Sequence, residues 1–360
     1  MFLRKEVLSN CGSLGMENFS LMKLFCALLL LSIVCPAAAN ISPDREAISA
    51  YLNNISRDDS ELSVSTPQTA TSGNESPQLF DVPISGSILG GTDTARSQYE
   101  EYTLLLITDR FGNVTGMCGS TLISANTVLT AAHCVRTPNR NYFLVPGFYS
   151  FNDNIKADDM IMASRVQIHP NYDPVTNDSD IAVLTLSEST NNSVAAVYQG
   201  GSDLEGENGT VIGTGALATS PNFIDAVTLQ EVPAPITSNT ACNDAYNRIL
   251  GSRQPITENM MCAGFANDDR GTCTGDSGGP LLVNFGGTRT VVGTVSFGIF
   301  PCEFNRATQA YARTSTLSDF IESASPNTEF ITGSVPVTPN FGPSNPALLP
   351  PMMLLLEDSQ

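Results

Sequence analysis

The sequence predicts an all-β fold, a barrel or sandwich of short strands. Three observations carry this expectation. Apolar runs of strand length recur along the chain, among them Tyr102–Thr108, Ser120–Ser124, Val291–Ser296 and Ala310–Arg313. Gly, Pro, Asn and Asp separate them, as tight turns require. Few stretches carry apolar residues at a helical period. One that does starts at Thr316, whose hydroxyl can cap a helix bearing Leu317, Phe320 and Ile321 on one face.

Taken in order, the chain divides into four parts. Met22-Lys23, the apolar run Leu24–Cys35 and Ala37-Ala38-Ala39 make residues 1–39 a secretory signal region cut after Ala39. Residues 1–21 do not fit that signal, which places the true start at Met16 or Met22. The apolar run is too short to span a bilayer. Residues 40–87 are rich in Ser, Thr, Asn, Asp and Pro and read as a mostly flexible propeptide, with a short helix over Ala47–Ile55. Residues 88–325 hold the strand-forming runs. Beyond Ser325, prolines from Pro326 to Pro351 give a flexible tail, and they split Leu348, Leu349 and Met352–Leu356 too finely for a membrane segment.

Composition narrows the function classes. Hydrophobic residues make up 41% of the 360, which is not the composition of a disordered chain. Lys and Arg number 17 against 36 Asp and Glu, a net charge of −19, so nucleic-acid binding is not expected. Of nine cysteines, Cys11, Cys26 and Cys35 precede the expected signal cut. The remaining six allow about fifteen pairings, and their even number suits an oxidising compartment. Only His133 and His169 could join cysteines at a metal, and no Cys-x-x-Cys is present, so neither metal nor cofactor is expected. Sequons at Asn40, Asn54, Asn74, Asn113, Asn177, Asn191 and Asn208 are usable by a secreted chain.

The stretch Gly271-Thr272-Cys273-Thr274-Gly275-Asp276-Ser277-Gly278-Gly279-Pro280 carries the chemistry. Glycines around Ser277 let a substrate carbonyl approach and let backbone N–H groups turn towards a developing oxyanion. Alone, Gly-Asp-Ser-Gly could equally be a glycine-rich turn. Thr130-Ala131-Ala132-His133-Cys134 and Asp178-Ser179-Asp180-Ile181-Ala182-Val183-Leu184 add a histidine and an aspartate in a matching order. Together the three segments resemble the chymotrypsin-like (trypsin) family of serine proteases, over roughly Ile88 to Ser325.

The resemblance implies two packed six-stranded β-barrels with a C-terminal helix and the active site between them. It implies a triad of Ser277 as nucleophile, His133 as base and Asp180 as the group orienting His133, with the N–H groups of Gly275 and Ser277 as oxyanion hole. Asp180 is preferred to its neighbour Asp178 because the apolar run Ile181–Leu184 buries it. His169 is a surface or packing residue. Ile88-Leu89-Gly90-Gly91 resembles the mature start of the family, whose new α-amino group pairs with the carboxylate before the serine, here Asp276. Ser87 precedes that bond where many family zymogens have Arg or Lys. The implied disulfides are Cys118–Cys134, Cys242–Cys262 and Cys273–Cys302.

The resemblance also implies a specificity pocket with Gly271 at its floor, Thr272 beside it, and Phe297, Gly298 and Gln309 on its walls. Without an aspartate at Gly271 or Thr272, no preference for Arg or Lys is expected. The chain lacks Trp, and Thr214 stands where the family commonly has an aromatic residue. The expected protein is a secreted, monomeric serine endopeptidase made as a zymogen. Its partners would be protein or peptide substrates, protein inhibitors and an activating protease, with no membrane partner. The alternative is a catalytically silent homologue that binds or inhibits a partner. A missing triad residue would favour it, and none is missing.

Overall fold

The computed structural model describes residues 45–55, 90–201, 204–215, 228–251, 255–266, 270–299, 302 and 308–333. The expected signal region, most of the expected propeptide, the Ser87–Ile88 bond and residues 334–360 lie outside the described residues.

A helix, α1 (Arg45–Ile55), and a two-residue strand, β1 (Thr92–Asp93), precede the first barrel. That barrel is formed by β2 (Tyr102–Thr108), β3 (Val114–Ser124), β4 (Thr127–Thr130), β5 (Asn141–Pro146), β6 (Ile161–Ile168) and β7 (Ala182–Leu186). They close antiparallel in the order β2-β3-β4-β7-β6-β5. Strand geometry sends successive side chains to opposite faces. Along β2, Leu104 and Leu106 therefore join one apolar cluster and Leu105 another, so the strand is covered on both sides.

After β8 (Ala196–Tyr198), six more strands form the second ring. They are β9 (Asn208–Gly213), β10 (Gln230–Thr237), β11 (Met260–Ala263), β12 (Pro280–Phe285), β13 (Thr288–Phe297) and β14 (Gln309–Arg313). Antiparallel pairings run β9-β10-β11-β14-β13-β12, and β12 closes on β9. In β10, Val232, Ala234 and Ile236 alternate inward to meet Val211, Leu281 and Tyr311. The four runs read from the sequence all fall within these strands.

Helices depart from expectation in instructive ways. The C-terminal helix, α4, spans Ser318–Ala324, with Leu317 rather than Thr316 at its cap position. Thr316 Oγ1 instead donates back to the Arg313 carbonyl at 3.3 Å. The expected apolar face holds: Leu317 and Ile321 are buried, and Phe320 meets the His169 ring edge-on at 4.9 Å. Before it, α2 (Ala132–Val135) is a single turn, and α3 (Asn239–Leu250), not among the expected helices, carries Cys242, Ala245, Tyr246 and Ile249 at i, i+3, i+4 and i+7 on one face. Only Cys242 and Tyr246, one turn apart, are buried, and Ser238 Oγ caps the start by accepting from Ala241 N at 3.3 Å.

One further segment departs from expectation. The tail expected to be flexible from residue 326 begins with β15 (Phe330–Ile331), which adds in parallel to β8. Pro326 costs this ladder nothing, because the pairing uses Val197 N to Glu329 O and Gln199 N to Ile331 O. The short helix expected over Ala47–Ile55 is formed as α1, starting two residues earlier at Arg45, and its Ile48 and Leu52 are buried. Among the described residues no helix is long and apolar enough to cross a membrane.

The barrels meet where β3 passes the loop before β12. Gly119 N donates to the Ser277 carbonyl at 2.7 Å. A Cβ on Gly119 would stand 2.8 Å from Gly279 Cα, so two glycines permit the approach. A second tie is ionic: Arg289 Nε lies 2.6 Å from Oε1 of Glu101, whose side chain is 1% exposed. A buried carboxylate held this way requires its partner.

Candidate active site

The site grows from the end of β4. The chain leaves β4 at Thr130, and the single turn α2 presents His133 with its side chain one-quarter exposed. The Cys118–Cys134 disulfide ties that turn to β3. Asp180, just before β7, is fully buried and receives His133 twice. Its Oδ1 accepts from the His133 backbone N at 2.8 Å, and its Oδ2 lies 2.7 Å from His133 Nδ1. One carboxylate thus grips both the backbone and the ring.

A third donor comes from the second barrel. Ser296 Oγ donates to Asp180 Oδ2 at 2.6 Å, and Ser296 is itself buried. Nothing in the sequence singles this residue out. A serine in an apolar strand carries no mark, and Ser296 is the residue skipped between the Val295–Tyr311 and Phe297–Ala310 pairs of β13 and β14.

The neighbouring aspartate is turned elsewhere. Ser179 takes φ +54°, a left-handed conformation unusual for a residue with a side chain, and so sends Asp178 and Asp180 in different directions. Asp178 accepts from Thr257, from Asn259 Nδ2 at 3.1 Å and from Ser179 Oγ at 3.0 Å. His169 is packed against Phe320 and accepts from Asn171 N at 3.2 Å through Nδ1.

Ser277 sits at the junction of two clefts. One, of about 410 Å³, is lined by His133, Cys134, Thr274, Gly275 and Ser277 among others. The other, of about 170 Å³, is lined by Thr272, Ser277, Phe297, Gly298 and Gln309 among others. The loop around Ser277 is held by its backbone. Asp276 N donates to Cys273 O at 3.2 Å, Gly278 N to Val295 O at 2.9 Å and Gly279 N to Asp276 O at 2.9 Å. None of the hydrogen bonds among the described residues uses the N–H groups of Gly275 and Ser277. Gly275, at φ +98°, adopts a conformation open to glycine.

Asp276 points away from both clefts into the second barrel and is fully buried. Its carboxylate accepts from Gly215 N at 2.6 Å and Cys273 N at 2.8 Å. Burial pushes its pKa up to about 7, although those two N–H groups pull the other way. Gly213 and Gly215 make room for it, since a Cβ on Gly215 would lie 2.3 Å from the carboxylate. Between them Thr214 is buried, with its hydroxyl 3.4 Å from Tyr102 OH, and this contact occupies the place where an aromatic residue is common in the family. Ile88, the expected partner of Asp276, lies outside the described residues.

In the smaller cleft, Gln309 is 2% exposed and Oε1 has no hydrogen-bond partner among the described residues. Its Cγ would lie 3.4 Å from a Cβ on Gly298, and its Oε1 2.8 Å from one on Gly264. The amide therefore reaches across from the Gly298 side towards Gly264. Phe297 is held edge-on by Tyr246, with ring centroids 5.7 Å apart. Gly271, expected as the floor, is not among the lining residues. The Cys273–Cys302 and Cys242–Cys262 disulfides are both formed. Cys118, Cys134 and His133 lie close enough to suggest a metal site, but the two sulfurs are bonded to each other and offer no thiolate.

The family model described as Trypsin matches residues 88–321. Among curated proteins, the trypsin Tyr p 3.0101 of Tyrophagus putrescentiae is 33% identical over 66% of this chain and 80% of its own length. Trypsin 5G1 of Aedes aegypti is 30% identical over 67% of this chain and 86% of its own length. Trypsin-1 of Astacus astacus is 32% identical over 59% and 89%.

Proposed function

Since the chain belongs to the trypsin family and is a serine-type endopeptidase, we propose that it cuts peptide bonds through Ser277, His133 and Asp180 by way of an acyl-enzyme. The observation that supports this most is the doubly gripped His133–Asp180 pair beside the same cleft as Ser277. In this reading His133 Nε2 takes the Ser277 proton as Oγ attacks the substrate carbonyl. The N–H groups of Gly275 and Ser277 receive the resulting oxyanion. His133 then gives the proton to the leaving amine, and water repeats the sequence on the ester.

The zymogen reading rests on Asp276. A carboxyl raised to about 7 by burial is poorly matched until a cation arrives, and the new α-amino group of Ile88 would supply it. Protein whose amino terminus reads Ile-Leu-Gly-Gly should take up one serine-directed phosphonate, on Ser277, while chain still joined at Ser87–Ile88 stays unlabelled. Mass mapping of the label checks both halves. Equal labelling of the joined chain would remove the zymogen reading, and no label on Ser277 would favour the silent homologue.

For the substrate, we infer a neutral side chain of small to medium size before the cut. Among the described residues, none that lines the smaller cleft, Thr272 included, carries a charge, and a buried cation without a partner is costly. Gln309 shortens the cleft and leaves an acceptor unsatisfied. A peptide library varied at that residue should give most cleavage after Ser, Ala, Val, Leu or Gln. Dominant cleavage after Arg or Lys would overturn the pocket reading. Secretion, a monomeric state, protein inhibitors and a separate activating protease complete the proposal, supported by the signal-like amino terminus and by exposed sequon asparagines Asn113, Asn191 and Asn208.

A further inference from the structure

Helix α1 lies upstream of the whole catalytic unit, yet it is built into the first barrel. At eleven residues it is too short to hold its own helix in water, so tertiary contacts must order it. Ile48 and Leu52, one turn apart, are 1% and 0% exposed and belong to the cluster that contains Phe148, Phe151, Ile155 and Met160. Those four residues lie in the loop joining β5 to β6, and α1 also packs on its 3-10 turn, Ala157–Asp159.

A polar clamp sets the register of this apolar contact. Ser49 Oγ donates to the Ile155 carbonyl at 2.6 Å, and Asn53 Nδ2 donates to the same oxygen at 3.0 Å. Ile155 N in turn donates to Asn53 Oδ1 at 3.1 Å. The Asn53 amide thus pairs with both backbone groups of Ile155, as a neighbouring strand would. Removing α1 would give the Ile155 carbonyl to water and expose the apolar face of Phe148, Phe151, Ile155 and Met160 that Ile48 and Leu52 cover. None of these contacts uses residues 56–89.

We propose that the loop 148–160 is a docking surface for residues 45–55, and that this helix keeps the amino-terminal piece seated on the first barrel after the connecting chain is cut. The activation cut at Ser87–Ile88, a part of the reading above, would then yield a two-piece enzyme held without a covalent bond. The helix in turn holds the loop in its folded form.

The test separates docking from activation by cutting elsewhere. A recognition site for an unrelated protease is placed between residues 65 and 75 of the full chain carrying Ser277→Ala, and the chain is cut there. Both pieces should elute together in gel filtration, and amides of 45–55 and 148–160 should remain protected from hydrogen exchange. Leu52→Glu should release the small piece, and Asn53→Ala should speed exchange in 148–160 by about tenfold or more. Separation of the unsubstituted pieces, or free-peptide exchange of 45–55 in the uncut chain, would overturn the proposal. Failure to find Ile88 at the amino terminus of the active enzyme would instead count against the activation reading alone.

Discussion

Ser277→Ala and His133→Ala should each abolish nearly all peptidase activity, a loss on the order of 10⁶ in kcat, because nucleophile and base act as one unit. A serine hydroxyl is a weak nucleophile until a base takes its proton. In the proposed mechanism that base is His133, which two bonds tie to a fully buried carboxylate. The double variant should lose no more than either single one, since the second change removes a partner that no longer has work to do. Stability should hardly change in Ser277→Ala, because Ser277 contributes its backbone carbonyl, not its hydroxyl, to the Gly119 bond between barrels. Turnover of a peptide substrate, with thermal unfolding as control, checks both statements. Wild-type-like turnover of Ser277→Ala would place the chemistry elsewhere.

The parts of this molecule that are legible in the sequence are those whose cause is local. Glycines flank Ser277 because the backbone must bend and be approached there, and such needs are written residue by residue. The apolar run after Asp180 marks which of two aspartates is buried. Strand-length apolar runs mark the barrels. Illegible parts depend on what another segment brings. Ser296 reaches Asp180 only because the second barrel packs against the first, a contact between segments 116 residues apart. Helix α3 is by contrast legible, since Cys242, Ala245, Tyr246 and Ile249 follow the helical spacing after a capping Ser238, although small and polar residues dilute the stripe. Helix α1 is legible as a short helix, but the clamp that sets its register uses the backbone of Ile155, and a backbone group leaves no trace in side-chain patterning. The same holds for β15, where the neighbouring prolines mask a two-residue strand held by β8.

Asp180→Asn should lower kcat by about four orders of magnitude with KM little changed, the size of effect that tautomer loss has in serine-protease triads generally. Asp180 is surrounded by donors: the His133 backbone N–H, His133 Nδ1 and Ser296 Oγ. A carboxylate accepts all three, but an amide brings one acceptor and one donor group into the same space. With its NH₂ at the Oδ1 position, the substituted amide would face the His133 backbone N–H, a donor against a donor that cannot change. With its NH₂ at the Oδ2 position, it faces Nδ1, which can give up its proton, and Ser296 Oγ, which can rotate to accept. The second arrangement therefore wins, and the ring proton moves to Nε2. That nitrogen is the one needed free to take the Ser277 proton, so the base is blocked while the fold stays satisfied. Asp178→Asn, whose carboxylate faces Thr257 and Asn259, should cost less than about tenfold by comparison. Active-site titration followed by steady-state kinetics of both variants decides the matter, and equal losses at 178 and 180 would show that Asp180 does not orient the base.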